Sequence, residues 1–158
     1  MVSVKKIPNP EGMKKLSVVL NGLEGYEGKV GWLKSAQYED GTQVAYVAAI
    51  QEFGVPEKNI PSRSFFRTTI KEKTNSWLQL AKQGLQEVLK SGTSIATVMQ
   101  KLTIQAENDV LRKIASITSP ALKESTLKSR RSKGRNSAKP LVDTQTMISH
   151  LTSDVIKK

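Results

Sequence analysis

Two long stripes of apolar residues, separated by one short break, constrain the fold of this chain more than any other feature. The apolar side chains recur at helical spacing across residues 70–89 and again across residues 95–117. Ser91 and Gly92 interrupt the pattern between the stripes. Two helices of this length joined by so short a connection are expected to fold back as an antiparallel hairpin. The alternative is that a stripe stays exposed and docks on a neighbouring subunit.

Residues 44–53 form a shorter segment, VAYVAAIQEF, that is apolar on nearly every side. Its continuous face has i, i+3, i+4, i+7 spacing and consists of Tyr46, Ala49, Ile50 and Phe53. A helix with this composition is usually buried, and Gly54 stands where glycine commonly ends a helix. The segment therefore predicts a short central helix with its large side chains in the core.

A sharp corner follows the central helix. Pro61 biases the residue before it towards extended backbone, and an aromatic pair then leads into the first long stripe. This corner brings the central helix beside the first long helix. We therefore expect four aromatic side chains to be largely buried: Phe53, Phe65, Phe66 and Trp77.

Shorter segments near the two ends complete the predicted fold. Asn9 can cap a helix that starts at Pro10. Residues 29–34 are expected to form a strand, and residues 151–156 can close as a second strand beside it. Asp143 is placed to cap a last short helix before that strand. The predicted class is α+β, with a small antiparallel sheet packed against the short central helix and the long antiparallel hairpin.

The length and apolar content predict one domain. At 158 residues with 37% hydrophobic residues, the chain can bury one modest core. We therefore expect residues 1–158 to form a single domain, with residues 1–8 as a flexible N-terminal arm. No apolar run near the N-terminus is long enough for a signal peptide or a membrane span. The protein is expected to be made and assembled in a cytoplasm, with no membrane partner.

Residue types that carry catalysis or bind metals are scarce. The chain has no cysteine and a single histidine, His150, so thiol chemistry is excluded and a zinc site would need distant carboxylates. Asp143, His150 and a serine could formally make a triad, but no nucleophile signature occurs. Glu107 and Asp109 are two residues apart and point to different sides of a helix. We expect no catalytic site, no cofactor, no metal and a surface position for His150.

The net charge of +11 is concentrated between residues 128 and 139. This segment is almost free of apolar residues and therefore predicts a mobile basic loop. Its candidate partner-binding residues are Arg130, Arg131, Lys133, Arg135 and Lys139. Such a loop can order on an acidic partner subunit, which we favour, or it can contact nucleic acid by releasing counterions from phosphate. No aromatic residues interrupt it, so stacking on single strands is not indicated.

Two sets of residues carry a resemblance to a known family. The first set is Glu52-Phe53-Gly54 and, after a short gap, Ile60-Pro61-Ser62-Arg63-Ser64-Phe65-Phe66-Arg67; the second is Ser119 to Lys128, followed by Lys139-Pro140-Leu141-Val142-Asp143-Thr144. They are similar to the "EFG … IP.RPF.R" and "PLS..T…KPLVDTG.L" signatures of tailed-phage morphogenesis proteins. The matching residues include Glu52, Phe53, Gly54, Pro61, Arg63, Phe65, Phe66, Arg67, Pro140, Asp143 and Thr144. The chain has Gln145 where the family usually has glycine, and Ser64 where proline is common.

The resemblance implies a structural virion protein of the neck, head–tail joining or tail-completion type. Such proteins usually assemble as homo-oligomeric rings, so the implied partners are further copies of the chain and connector, terminator or tail-tube proteins. The implied location is the neck or tail end of a virion assembled in the bacterial host cytoplasm.

The alternative function is a basic DNA-binding accessory protein with non-specific contacts, which the net charge motivates. A small hydrolase is disfavoured by the missing catalytic residues. The isolated protein is expected to be monomeric or weakly associated, because its polar termini and basic segment offer little apolar area.

Overall fold

The computed structural model describes residues 9–158, and the arm predicted at residues 1–8 lies outside the described residues. In chain order the elements are α1 (Pro10–Glu24), β1 (Tyr26–Trp32), α2 (Val44–Phe53), a 3-10 turn (Pro56–Lys58), α3 (Phe66–Ser91), α4 (Ile95–Ser116), α5 (Glu124–Ser132), α6 (Thr146–Ser149) and β2 (Leu151–Lys157). The predicted α+β class is confirmed. Within residues 9–158, no helix combines the length and the apolar character needed to cross a bilayer.

The helices α3 and α4 form the long antiparallel hairpin. Gly92 ends α3 in the left-handed conformation, with φ 71°. An ion pair near the connection joins Glu87 to Lys101 at 3.1 Å, and another far from it joins Glu72 to Lys113 at 2.6 Å. The sequence separation between paired residues increases with distance from the connection, as antiparallel packing requires.

The two ends of the described chain meet in the sheet. The strands β1 and β2 pair antiparallel, from Tyr26 opposite Lys157 to Trp32 opposite Leu151, which confirms the predicted pairing. The helix α4 packs across both strands. The buried core that forms around them consists of Ala36, Val44, Ala48, Phe65, Val110, Ile114, Leu141, Met147 and Leu151.

The side of α2 that faces the core is not the predicted one. Val44, Ala48 and Glu52 are buried, whereas Tyr46 and Phe53 are 58% and 65% exposed. The buried residues are four apart and therefore share one face of the helix. Small side chains at Val44 and Ala48 let the helix approach the core closely, so the larger residues remain outside.

The predicted burial of the four aromatic residues holds fully for Phe65 alone. Phe65 is completely buried, with its ring edge-on to Trp32 at a centroid distance of 6.0 Å. Phe66 and Trp77 are only partly buried, and the predicted burial of Phe53 is wrong. The corner joins the end of α2 to the start of α3, but α2 packs against β1 and α6 rather than along α3, and the Glu52 carboxylate rather than the Phe53 ring points into the junction.

The last third of the chain departs from the prediction in two places. Residues 128–132, predicted as part of a loop, form the C-terminal part of α5. This polar helix has an inner side because Leu127 and Arg130, three residues apart, are both withdrawn from solvent. Asp143 does not cap α6, whose N-cap is Gln145 with φ 60°. The Asp143 carboxylate instead pairs with arginines of the basic segment.

Candidate functional site

Glu52 joins the end of α2 to the beginning of α3. Its carboxylate is almost fully buried and accepts hydrogen bonds from the backbone N–H groups of Phe65, Phe66 and Arg67 at 2.7, 2.9 and 3.2 Å. Ser64 Oγ donates at 2.7 Å and Arg67 Nε at 2.9 Å. The carboxylate thus satisfies amides at the N-terminus of α3, where a negative charge is also favoured by the helix dipole.

The charge state of Glu52 follows from these contacts. Burial alone would raise the pKa of Glu52, but hydrogen bonds from Ser64, from the Arg67 side chain and from the Phe66 and Arg67 amides outweigh burial and hold the pKa below its ordinary value. The carboxylate is therefore ionised at neutral pH, and its oxygens are occupied by donors of its own chain. Glu52 is a structural residue rather than an acid–base group.

Arg63 fastens the same corner to the segment that precedes α5. It is 5% exposed. Its guanidinium donates to the backbone oxygens of Pro120 at 2.9 Å and Ala121 at 3.2 Å, and to Gln51 Oε1 at 3.1 Å. Burial, and then the charge of Arg130, lower the pKa of Arg63, although an arginine stays charged in proteins. Arg63 therefore holds together segments that are almost sixty residues apart.

Gly54 lets the two parts of the first signature touch. Its φ is 75°, and a Cβ there would lie 2.7 Å from Ser62 N and 2.9 Å from Ile60 O. Both contacts are with backbone and cannot yield easily, and a positive φ also favours glycine. Ser62 Oγ completes the junction by donating to the backbone oxygen of Glu52 at 2.7 Å. Glycine is therefore required by the geometry of the corner.

The other residues of the first signature lie towards the surface. Phe53 and Pro61 are exposed. The Arg67 guanidinium lies over the Phe53 ring, with Cζ 4.8 Å from the ring centroid. Phe66 packs edge-on against Trp32 at a centroid distance of 5.7 Å. The first signature therefore forms a corner that is held by internal hydrogen bonds, with one aromatic ring exposed to solvent.

Arg130 has a different position from the one predicted. It is 8% exposed and donates to the backbone oxygens of Ser137 at 2.9 Å, Lys139 at 2.8 Å and Pro140 at 3.2 Å. Arg130 therefore bonds within its own segment instead of lying exposed in a mobile loop, and its role in partner binding stays a prediction. These carbonyl groups lie in irregular backbone, so no helix or sheet N–H group donates to them. The Arg130 guanidinium supplies the hydrogen bonds instead and thereby holds the basic segment in a closed loop.

The other cations of the basic segment divide into two groups. Arg135 is partly buried and donates to Asp143 Oδ2 at 3.0 Å, while the other oxygen of Asp143 lies 3.4 Å from Arg130 Nε. Exposed cations are found at Arg131, which pairs with Glu124 at 3.3 Å, and at Lys133 and Lys139. In the second signature, Pro140 is buried and Asp143 is partly buried, whereas Thr144 is exposed and shares a hydrogen bond with Thr146.

A cavity of about 460 Å³ lies between the basic segment and α2. Its walls include Tyr38, Asp40, Gln51, Arg135 and Asp143. Burial, and then the charges of Asp143 and Asp40, raise the pKa of Tyr38, so the phenol is protonated at neutral pH. A ligand in this cavity would meet charges of both signs. The sequence interpretation missed this cavity, because its walls come from segments that are far apart in sequence.

The sequence interpretation also missed Asp109. This residue is 5% exposed and accepts hydrogen bonds from Trp77 Nε1 at 2.9 Å and Gln105 Nε2 at 3.1 Å. It fixes α3 against α4 by a polar contact inside the hairpin. The signal that could have revealed it is its position on the inner side of the second stripe, opposite an indole that needs an acceptor.

Metal-ligating side chains do not cluster in the described part of the chain. Within residues 9–158, no three His, Cys, Asp or Glu side chains cluster closely enough to hold a metal ion. His150 is exposed, and its Nδ1 lies 2.9 Å from the backbone oxygen of Thr146. Comparison with protein-family models, with curated proteins and with solved structures finds no match to this chain.

Proposed function

We propose that this chain is a structural subunit of a tailed-phage virion, of the neck or tail-completion type, and that it joins head and tail through subunit contacts in a ring. The observation that carries the proposal is an unusually large exposed surface. The accessible surface is 11094 Å², whereas a compact monomer of 158 residues is expected to expose about 7,900 Å². Eight residues in a fully extended chain expose about 1,300 Å², so the excess is larger than residues 1–8 can contribute.

The excess area is large enough for ring assembly. Each subunit of a ring has two neighbours, and a specific interface covers about 800 Å² on each partner. Large apolar side chains are available for such contacts on the outer helices: Met13, Leu16, Val18 and Leu20 of α1, and Leu78 and Leu89 of α3 are all at least 40% exposed. The isolated protein was expected to be monomeric because its polar termini and basic segment offer little apolar surface. The exposed side chains of α1 and α3 offer that surface, so this reason no longer applies.

The partners proposed for the ring are further copies of the chain and a connector, terminator or tail-tube protein. The exposed cations Arg131, Lys133 and Lys139 suit an acidic surface on such a neighbour. A DNA-binding accessory protein is the second candidate, and the net charge of +11 favours it. The two candidates differ in what these cations contact.

Replacing Arg131, Lys133 and Lys139 with serine is expected to block head–tail joining and to lower the titre of infectious particles at least tenfold, without unfolding the protein. Arg130 and Arg135 are kept because they bond within the segment. The matched control replaces three exposed lysines of β1, of the loop after it and of β2, namely Lys29, Lys34 and Lys157, with serine, and it should leave the titre near that of the parent.

Measuring the affinity for duplex DNA at two salt concentrations distinguishes the two candidate functions. If DNA is the partner, the parent binds it without sequence preference, and the triple variant loses about 3 from the salt slope of log K. A normal titre from the triple variant, together with that loss of DNA binding, would contradict the structural role and favour the accessory role.

A further inference from the structure

The helix α1 is exposed along most of its length. Val19 is the one buried side chain among its 15 residues. The helix is packed closely at its C-terminal end, where a Cβ at Gly22 would collide with the Ile95 side chain at the start of α4. The sequence still specifies a helix over the exposed turns, because the Asn9 side chain caps the first of them. A helix of this length takes most of its stability from packing of an apolar face, so the exposed turns lack a packing partner within residues 9–158.

The exposed turns carry an apolar stripe that suits a second helix. Met13, Leu16, Leu20 and Leu23 follow one another at intervals of three, four and three residues, which is the spacing of a seam between two packed helices. Met13, Leu16 and Leu20 are 64%, 41% and 48% exposed, whereas Leu23 is partly buried. We call these four residues the α1 stripe. Most of its apolar surface is left open by the described part of the chain.

The outer side of α3 offers a matching apolar surface. Leu78 and Leu89 are 54% and 40% exposed. They are eleven residues apart, which is close to three helical turns, so they point to the same side of α3. We call the surface between them the α3 surface. Because both this surface and the α1 stripe are exposed in the same subunit, the two do not cover each other within one chain.

The charges beside the two surfaces favour pairing one with the other. Exposed Glu24 follows Leu20 by one turn of α1. When Leu20 lies opposite Leu78, the Glu24 carboxylate approaches an exposed lysine in either relative direction of the helices. Parallel helices bring it towards Lys82, and antiparallel helices bring it towards Lys71. Two α3 surfaces placed together would instead bring these lysines against one another.

We infer that the α1 stripe of one subunit packs on the α3 surface of a second copy. This contact is head-to-tail, because the two surfaces differ, and a repeated head-to-tail contact can close a ring. Two α1 stripes packed on each other would form a symmetric pair that is complete after two copies. The inference rests on the proposed ring and names the surfaces that build it. It is tested on the purified chain, so it can fail while the chain is still found in virus particles.

Disulfide cross-linking tests the pairing directly, because the chain has no cysteine of its own. Leu20→Cys and Leu78→Cys are purified separately, mixed and oxidised. The mixture is expected to give mainly the dimer linked between positions 20 and 78, identified by mass spectrometry of its peptides. Val18→Cys is the matched control: this residue is 69% exposed and lies two residues from Leu20, on the other side of α1. It should not form a cross-link with Leu78→Cys.

Sedimentation velocity measures the same contact without cross-linking. The parent is expected to associate increasingly as its concentration is raised. Combining Leu16→Ser with Leu20→Ser should weaken this association at least about tenfold, whereas Val18→Ser should associate as the parent does. Circular dichroism of each variant establishes whether a loss of association is a loss of fold.

Three results would overturn the inference. The first is a parent that stays monomeric at every concentration, with no disulfide between positions 20 and 78. The second is a dimer that Leu20→Cys forms with itself in preference to the mixed dimer, which would assign the α1 stripe to a symmetric pair. The third is association that persists unchanged in the folded Leu16→Ser, Leu20→Ser variant, which would place the contact between copies elsewhere on the chain.

Discussion

Replacing Glu52 with glutamine is expected to lower the free energy of unfolding by about 3–4 kcal/mol. In either orientation the glutamine NH2 group faces N–H donors: the amides of Phe65 and Phe66, which now donate to Oε2 at 2.7 and 2.9 Å, or the Arg67 groups that donate to Oε1. The variant also leaves Arg67 without its charged partner. Urea denaturation at neutral pH measures the loss. Glu57→Gln is the matched control, because Glu57 is an exposed carboxylate of the same corner, and it should change stability by about 0.5 kcal/mol or less.

The loss in Glu52→Gln should depend on pH in one direction. The pKa of Glu52 is held below its ordinary value in the folded protein. Its stabilising contribution is therefore present above the ordinary pKa of a glutamate, about 4.3, and is lost as pH falls through the lower folded pKa. The parent and the variant should converge in acid. A loss that is equal at pH 7 and in acid, or no loss at all, would contradict the role assigned to the carboxylate.

Truncating Phe65 to alanine is expected to cost about 3–5 kcal/mol. Phe65 is completely buried and contacts the rings of Trp32 and Phe66, so truncation leaves a cavity in the core. Phe53→Ala is the matched comparison in the same signature. Its ring is mostly exposed, and its loss removes mainly the contact with Arg67, at a cost of about 1 kcal/mol or less.

Thermal and urea denaturation of the two phenylalanine variants should therefore give clearly different midpoints. Equal destabilisation by Phe65→Ala and Phe53→Ala would show that the packing described for α2 is incorrect. It would also return Phe53 to the core.

The hairpin and the start of α1 could be predicted because local patterns determine them. The apolar repeats on either side of Ser91-Gly92 leave few arrangements other than a hairpin, and Asn9 caps α1 as expected, accepting from Gly12 N at 3.0 Å. In these regions residues close in sequence decide the outcome.

The orientation of α2 could not be predicted from its composition. With Val44, Ala48 and Phe53 all apolar, periodicity offers two possible inner faces, and size favoured the wrong one. The face was decided by Glu52, which must reach the amides at the start of α3. That requirement is visible only once the corner is folded.

In the basic segment, too, the burial of individual side chains could not be predicted from the sequence. Charge alone placed Arg130 and Lys133 in one group, yet one is buried and the other is exposed. The difference arises from the carbonyl groups of residues 137–140, which turn towards Arg130 and need donors. A sequence pattern does not reveal where an irregular backbone directs its carbonyl groups.

The proposed role in a tailed virion requires that the chain be part of the particle. The most direct measurement is the protein composition of purified tailed particles produced by the genome that encodes this chain. Quantitative mass spectrometry is predicted to find the chain in intact particles in several copies each, and deletion of its gene is predicted to leave heads and tails unjoined or tails incomplete. Intact, infectious particles that lack the chain would contradict the account.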